Sequence, residues 1–414
     1  MTTTPHPSEV RSAEPEGVVL GGRELPCTLP KTLDELRTYL QGALEIEHLT
    51  IPPYLTAMYT IRAGTNQDAY YTIRSVVLEE MLHMTLLANL LNAVGGRPRV
   101  AHPDFVRSYP ARLPYSALDV EIPLQHFSPA AMRTFLLIER PQHFDDDPAP
   151  SGQGWTSIGQ FYSFIRSGLL ALVAELGEAA VFSGHRERQV GPADFYNSGG
   201  EAFPVTDLRS ALLALRVVTE QGEGLRDSIF DSDDQLFGEQ RQVAHYFQFN
   251  EILTGRTYGP HDIPDAPPTG PEIDVRWADA YRIDPNASVA DYARYDNKAV
   301  YEHAVAFNDV YAELLAHLET AFNGLPRFMV LAVPTMLRLR DLAERLYHNP
   351  HPDPGKASRG YFASATFEID QPQLDCGHEI VSARVATAGL NTDEPVDLSA
   401  VEPSDHNIDD EPIL

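Results

Sequence analysis

Residues 76–94, VVLEEMLHMTLLANLLNAV, read as one amphipathic helix carrying two ionisable residues on its apolar side. The stripe runs through Ile73, Val76, Val77, Met84, Leu87, Leu91 and Val94, and a period of three to four residues places Glu80 and His83 on it. An ionised carboxylate in such a stripe costs several kcal/mol unless it is paired or coordinates a cation. Glu80 and His83 are three residues apart and share one helix face. E-x-x-H on an inward face is the element with which helical bundles hold dinuclear metal centres. The helix is expected from about 68 to 94, with Gly95-Gly96 as its stop.

Upstream, residues 43–58 read ALEIEHLTIPPYLTAM. A capping box, Thr32 with Glu35, opens this first helix. Its stripe, Leu36, Leu40, Ala43, Ile51, Tyr54 and Met58, again contains a carboxylate, Glu47. Glu47 and Glu80 lie 33 residues apart, which brings them to similar depth in an antiparallel pair joined by a short turn. Pro52 and Pro53 predict a kink, because proline removes a backbone donor. Glu45, Glu79 and His48 fall off the stripes and read as surface charge or as support behind the ligands. Tyr54 reads as core packing, with a donor to the ligands or a radical relay as its functional alternative.

A second half must come from later helices, expected at about 157–176, 206–223 and 239–253. Glu220 and Glu223 are again three apart, and helix phase favours Glu223. His245 stands among aromatic residues, as a ligand or as a hydrogen-bonded core histidine. Three residues before it stands Gln242, where a full second E-x-x-H needs Glu. Three or four carboxylates with two histidines suit two iron ions, or manganese, better than zinc.

Composition narrows the classes. A 43% hydrophobic fraction fits a globular chain. A formal charge of −28 disfavours nucleic-acid and anionic membrane partners. Cys27 and Cys376 form no C-x-x-C, so a zinc ribbon, an iron–sulfur cluster and a disulfide framework are disfavoured, and the cytoplasm is the expected compartment. No G-x-S-x-G elbow, P-loop or dinucleotide fingerprint is present, so any reducing equivalents come from an external reductant or from the substrate. The expected organisation is a tail at 1–30, a metal-binding bundle at 31–255, a mostly helical extension at 256–388 and an acidic tail at 389–414. A short helix is expected from Ser128 in the Pro-rich crossover 96–150, strand-like pieces near 118–122, two helices at about 297–321 and 327–347, and a strand pair between 364 and 385.

The stretches EIEHLTIPPYLTAMY, VLEEMLHMTLLANLLNAVGG and EQGEG followed by AHYFQF resemble the ferritin-like family named for iminophenyl-pyruvate dimer synthase, an enzyme type of bisindole pigment pathways such as that of violacein. The resemblance covers about 32–255 and extends toward Phe367. It implies a mostly α, ferritin-like four-helix bundle with long crossover connections and a C-terminal helical extension. It also implies metal-dependent oxidation of small molecules of secondary metabolism. Carried over, the ligands are Glu47, Glu80 and His83, with Glu220, Glu223 and His245 as candidates for the second half. Gln160 stands where the family pattern is expected to have Glu. Gln160 and Gln242 thus count as residues beside the ligands rather than among them. The order E, E-x-x-H, E, H also resembles manganese catalases.

The expected function is oxidation of a small organic, amino-acid-derived substrate with dioxygen or peroxide at a diiron centre. The partner is then that small molecule, and self-association into a homo-oligomer is compatible with the sequence. Peroxide handling of the manganese-catalase type and a non-catalytic ligand- or partner-binding bundle are the alternatives.

Overall fold

Thr32 opens the first helix by accepting the Glu35 N–H at 3.1 Å, and Glu35 reaches back to the Lys31 N–H at 2.6 Å, one residue earlier than a standard capping box. This helix, α1 (Leu33–Tyr59), continues through Pro52 and Pro53. Pro53 has no N–H for the carbonyl of Leu49, and the Tyr109 hydroxyl donates to that carbonyl instead, at 2.8 Å. Helix α2 (Gln67–Ala93) follows a short loop and ends where Gly95 takes a φ of +76°. At Gly96 a side chain would collide with Leu91.

The computed structural model describes residues 29–387 apart from 115, 117–119, 142–154, 156, 197–199, 225, 226, 237, 239 and 286. The proposed tails at 1–30 and 389–414 therefore lie almost wholly outside the described residues, as do 118 and 119 of the strand-like piece near 118–122, whose Ile122 forms an isolated bridge with Ala111. After α2 come α3 (Pro129–Ile138), α4 (Ile158–Leu176), α5 (Glu178–Val181) and α6 (Leu208–Glu223). Then follow α7 (Asp233–Leu236), α8 (His245–Thr254), α9 (Val289–Tyr292), α10 (Lys298–Phe322), α11 (Phe328–Tyr347), α12 (Pro354–Ser358) and α13 (Gln371–Thr387). Extended pairing among the described residues consists of isolated bridges, such as Ile61 with Ala280 and Ile283 with Phe362.

Helices α1, α2, α4 and α6 form the four-helix bundle: α1 packs on α2 and α4, and α6 on α2 and α4. Two short helices close against it, with α3 packed on α8 and α1, and α8 on α2 and α6. Helices α10, α11 and α13 form the C-terminal extension, which contacts the bundle through α1 and α2. Its last member corrects the expected strand pair at 364–385. Leu374, Gly377 and Val381 recur at helical spacing and are buried, so α13 packs as a helix. Gly377 permits the close approach, since a Cβ there would sit 3.0 Å from the Ala312 backbone. No helix among the described residues is long and apolar enough to cross a membrane.

Candidate metal centre

Glu47 on α1 and Glu80 and His83 on α2 meet inside the bundle, as their stripes predict. All three are buried, and one potential ligand atom from each lies within 4.8 Å of the others. His83 Nδ1 is 3.1 Å from Glu47 Oε2 and 3.5 Å from Glu80 Oε2. A second group forms on the other side of Glu80, from Glu80, Glu139 and His245. His245 Nδ1 is 3.0 Å from Glu80 Oε1 and 3.8 Å from Glu139 Oε2. Glu80 thus turns one oxygen to each half. The two imidazoles stack with centroids 5.6 Å apart.

Each ligand atom is aimed by a group behind it. The Gln221 amide nitrogen donates to Asp233 Oδ2 at 2.9 Å, which leaves its oxygen facing His83 Nε2 at 2.8 Å. An oxygen there requires Nε2 to carry the proton, so Nδ1 presents its lone pair to Glu47 and Glu80 when His83 is neutral. His245 Nε2 pairs with Glu79 Oε2 at 2.7 Å, and Ser75 donates to the other Glu79 oxygen at 3.2 Å. A carboxylate behind a histidine is the usual way to fix the tautomer of a metal ligand. The hydroxyl of Tyr162 donates to Glu47 and that of Tyr54 to Glu139.

The electrostatics of the centre are those of carboxylates and imidazoles crowded together out of water. Burial pushes the Glu47 carboxyl well above the usual range, and the neighbouring Glu80 charge adds to this. Burial likewise raises Glu139. Glu80 is held low, because the His245 and His83 imidazoles beside it outweigh its burial. Burial opposes the charged form of His83, yet its bonds to Glu47 and Glu80 raise it to about 10. His245 is raised in the same way by Glu139, Glu79 and Glu80 against its burial. Protons thus hold together carboxylates that would otherwise repel.

The donor set could hold metal by a separate test. His245 Nδ1 is fully buried, faces two carboxylates and has no aligned hydrogen-bond partner among the described residues. A buried ring nitrogen turned between two carboxylates without an aligned hydrogen bond to either is placed as a ligand atom would be. Three carboxylates and two imidazoles, with no thiolate, match iron or manganese. The cavity lined by Glu47, Glu80, His83 and Glu139 is about 20 Å³, room for about one water-sized molecule.

The second half differs from expectation. Glu223 lines the cavity wall, but its Oε1 accepts the Gly159 N–H at 2.5 Å, and it belongs to neither ligand group. Gly159 is needed there, since a Cβ would overlap the Glu223 carboxylate. Glu220 turns to Arg216, 2.8 Å away, and to the Ser232 hydroxyl. Helix rotation decides this: Gln221, one step on, is the α6 residue that reaches His83. Gln242 is exposed and precedes α8, so its spacing to His245 is not a helical one, and the second E-x-x-H frame does not exist. Gln160 is buried in the first turn of α4 and does not line the cavity.

Glu139, Tyr162 and Gln221 escaped the sequence reading. Glu139 directly follows α3, whose buried Met132, Phe135 and Ile138 lead to it along one face. Extending that stripe by one position was the available signal. Glu79 and His48, read as off-stripe, are both buried: Glu79 holds His245, and His48 accepts from or donates to the Tyr311 hydroxyl at 2.6 Å. Glu45 is buried against Arg107 at 2.9 Å.

Known proteins agree with this architecture. Dichlorochromopyrrolate synthase of Lentzea aerocolonigenes is 25% identical over 348 residues, covering 76% of this chain and 31% of that protein. The chain thus spans about a third of the length of this curated relative. The crystal structure of a ferritin-like protein from Caulobacter vibrioides matches with a TM-score of 0.51 at 22% identity, over 77% of this chain and 96% of that one, a likeness of fold. The ferritin-like family model matches residues 40–254, and the chain belongs to the ferritin-like family.

Proposed function

We propose that this protein is a dinuclear non-haem metal oxidoreductase acting on a small, amino-acid-derived organic molecule with dioxygen or peroxide. The observation that carries the reading is the pair of buried ligand groups sharing Glu80. Glu47 and His83 would hold one ion, Glu139 and His245 the other, and Glu80 both. Two iron ions are the proposed occupants, with manganese as the alternative, and when bound they supply electrons to dioxygen or peroxide. The chain's own part is to aim Nδ1 of each histidine through Gln221 and Glu79, and to keep water out with the aromatic wall around Tyr54, Phe135 and Phe249. The Tyr162 and Tyr54 hydroxyls hold protons beside Glu47 and Glu139, where they can balance charge as the centre changes state. The similarity to a dichlorochromopyrrolate synthase supports an organic substrate.

A second reading, peroxide disproportionation, is favoured by the cavity, whose ~20 Å³ admits peroxide but no organic molecule without movement of its wall. The set Glu47, Glu80-x-x-His83, Glu139, His245 also follows the E, E-x-x-H, E, H order that resembles manganese catalases. The test is metal analysis of protein purified without chelator, then anaerobic reduction and oxygen re-addition followed by absorption spectroscopy. About two equivalents of iron, bleached and restored in that cycle, are expected. Manganese with rapid turnover of peroxide alone would favour the second reading. Less than about half an equivalent of either metal would sink both.

A further inference from the structure

The face of α1 opposite Glu47 borders a second, larger cavity of about 250 Å³, built between α1, the end of α2 and the crossover after Gly96. Its lining departs from the charge of the molecule. The chain holds 31 basic and 59 acidic residues, yet Arg37, Arg97 and Arg99 converge here, against Glu45 and Asp104, the latter beside His102 at 3.5 Å. Arg37 is already engaged by the Val94 carbonyl and Asp34. Arg97 is oriented by Asn323 at 3.2 Å, and neither Arg97 nor Arg99 is paired with a carboxylate among the described residues. The Arg99 backbone is fixed by both ends of the Gln41 amide, at 2.8 and 3.1 Å, so this loop is held in place.

Glu45 lines the same cavity and is 1% exposed. Arg107 takes its Oε2, while its Oε1 is buried and has no hydrogen-bond partner among the described residues. A buried carboxylate oxygen without a donor is costly and marks a place for one. An inorganic anion satisfies the arginines but meets Glu45 at close range, and a simple amine satisfies Glu45 but meets the arginines. The occupant must carry both signs. Leu91 and the buried Phe105 add an apolar wall, and the volume suits a ligand below drug size.

We propose that this cavity binds a free α-amino acid with an apolar side chain, its ammonium group toward Glu45 and its carboxylate toward Arg97 and Arg99. The site is separate from the metal centre: Glu45 and Glu47 are two residues apart on α1 and project to opposite sides. No covalent step is involved.

Titration calorimetry on the full metal-loaded chain tests this with L-leucine as the probe, isocaproate as the analogue without the amine and isopentylamine as the analogue without the carboxylate. L-Leucine is expected to bind saturably, with either analogue at least about tenfold weaker. Arg99→Ala, an exposed position, should weaken L-leucine at least about tenfold. Glu45→Gln should remove the preference for L-leucine over isocaproate. Should Glu45→Gln fail to fold, Arg99→Ala with the two analogues still decides. No binding of L-leucine, equal affinity for all three compounds, unchanged binding in Arg99→Ala, or binding abolished by chelator would each overturn the proposal.

Discussion

Glu47, Glu80 and His83 project from the interior of two 27-residue helices, whereas Glu139 directly follows the ten-residue α3 and His245 is the first residue of the ten-residue α8. The first set is held by backbone hydrogen bonds on both sides and by the packing of α1 on α2. The second set stands at helix ends, where only one side is helical, and depends on side chains from elsewhere. Tyr54 reaches across to Glu139, Glu79 to His245, and a small apolar cluster of Ile229, Ala244 and Phe247 supports the start of α8. Glu80 therefore joins a half set within long helices to a supported half set at helix ends.

The largest effect is expected at that joint. Glu80→Ala should remove both ions, taking metal content from about two equivalents to near none, because each group loses a shared ligand. Retention of one full equivalent would show that Glu80 belongs to one half only. His245→Ala should cost one ion and leave the one at Glu47 and His83, read as about one remaining equivalent. If His83→Ala instead left the ion at His245 and Glu139 more firmly bound, the ranking of the halves would be reversed.

This division also explains what could be read in advance. Glu47, Glu80 and His83 announce themselves because a long stripe makes a misplaced carboxylate visible. The helices at 158–176, 208–223, 298–322 and 328–347 follow from the same periodicity. Glu139 sits past the end of a short helix in a crossover, and its partners come from α1, α2 and α8, so no local pattern contains them. Gln242 misled because the spacing was counted on a helix that begins only at His245. Gln221 was overlooked because a glutamine on a helix draws no notice until its amide is seen between His83 and Asp233. The Tyr109 donor to the carbonyl freed by Pro53 is likewise a long-range contact.

Smaller effects probe the support. Glu79→Gln should weaken the second ion by about 10–100-fold, measured by competition with a chelator, because His245 loses the carboxylate that fixes its tautomer. Gln221→Leu should act similarly on the first ion and spare the second. A pH series sharpens this further. In the ion-free centre the Glu47 carboxyl is raised by burial and His83 is raised to about 10, so both carry protons at neutral pH. An entering ion must expel them, so affinity falls with acid and rises with pH, about tenfold per unit for each proton released. Affinity independent of pH below about 8, where Glu47 (pushed up to about 8) and His83 both carry protons before binding, would contradict that proton count.

The smallest expected effect lies at the residues first assigned to the second half. Glu220→Gln removes a partner of Arg216 and Ser232 at the edge of α6, so metal content should not change. Exposed pairs of this kind contribute about 0–1 kcal/mol. Glu223→Gln is the sharper case, because Glu223 touches the same cavity as the ligands while its Oε1 is engaged by the Gly159 backbone. A neutral amide keeps an acceptor for that N–H, so both ions should remain and thermal stability should fall by no more than about 1–2 kcal/mol. Loss of one equivalent in Glu223→Gln would mean that its carboxylate swings from Gly159 to the ion on loading. The supported half would then hold a third carboxylate, and the two halves would differ less than their scaffolds suggest.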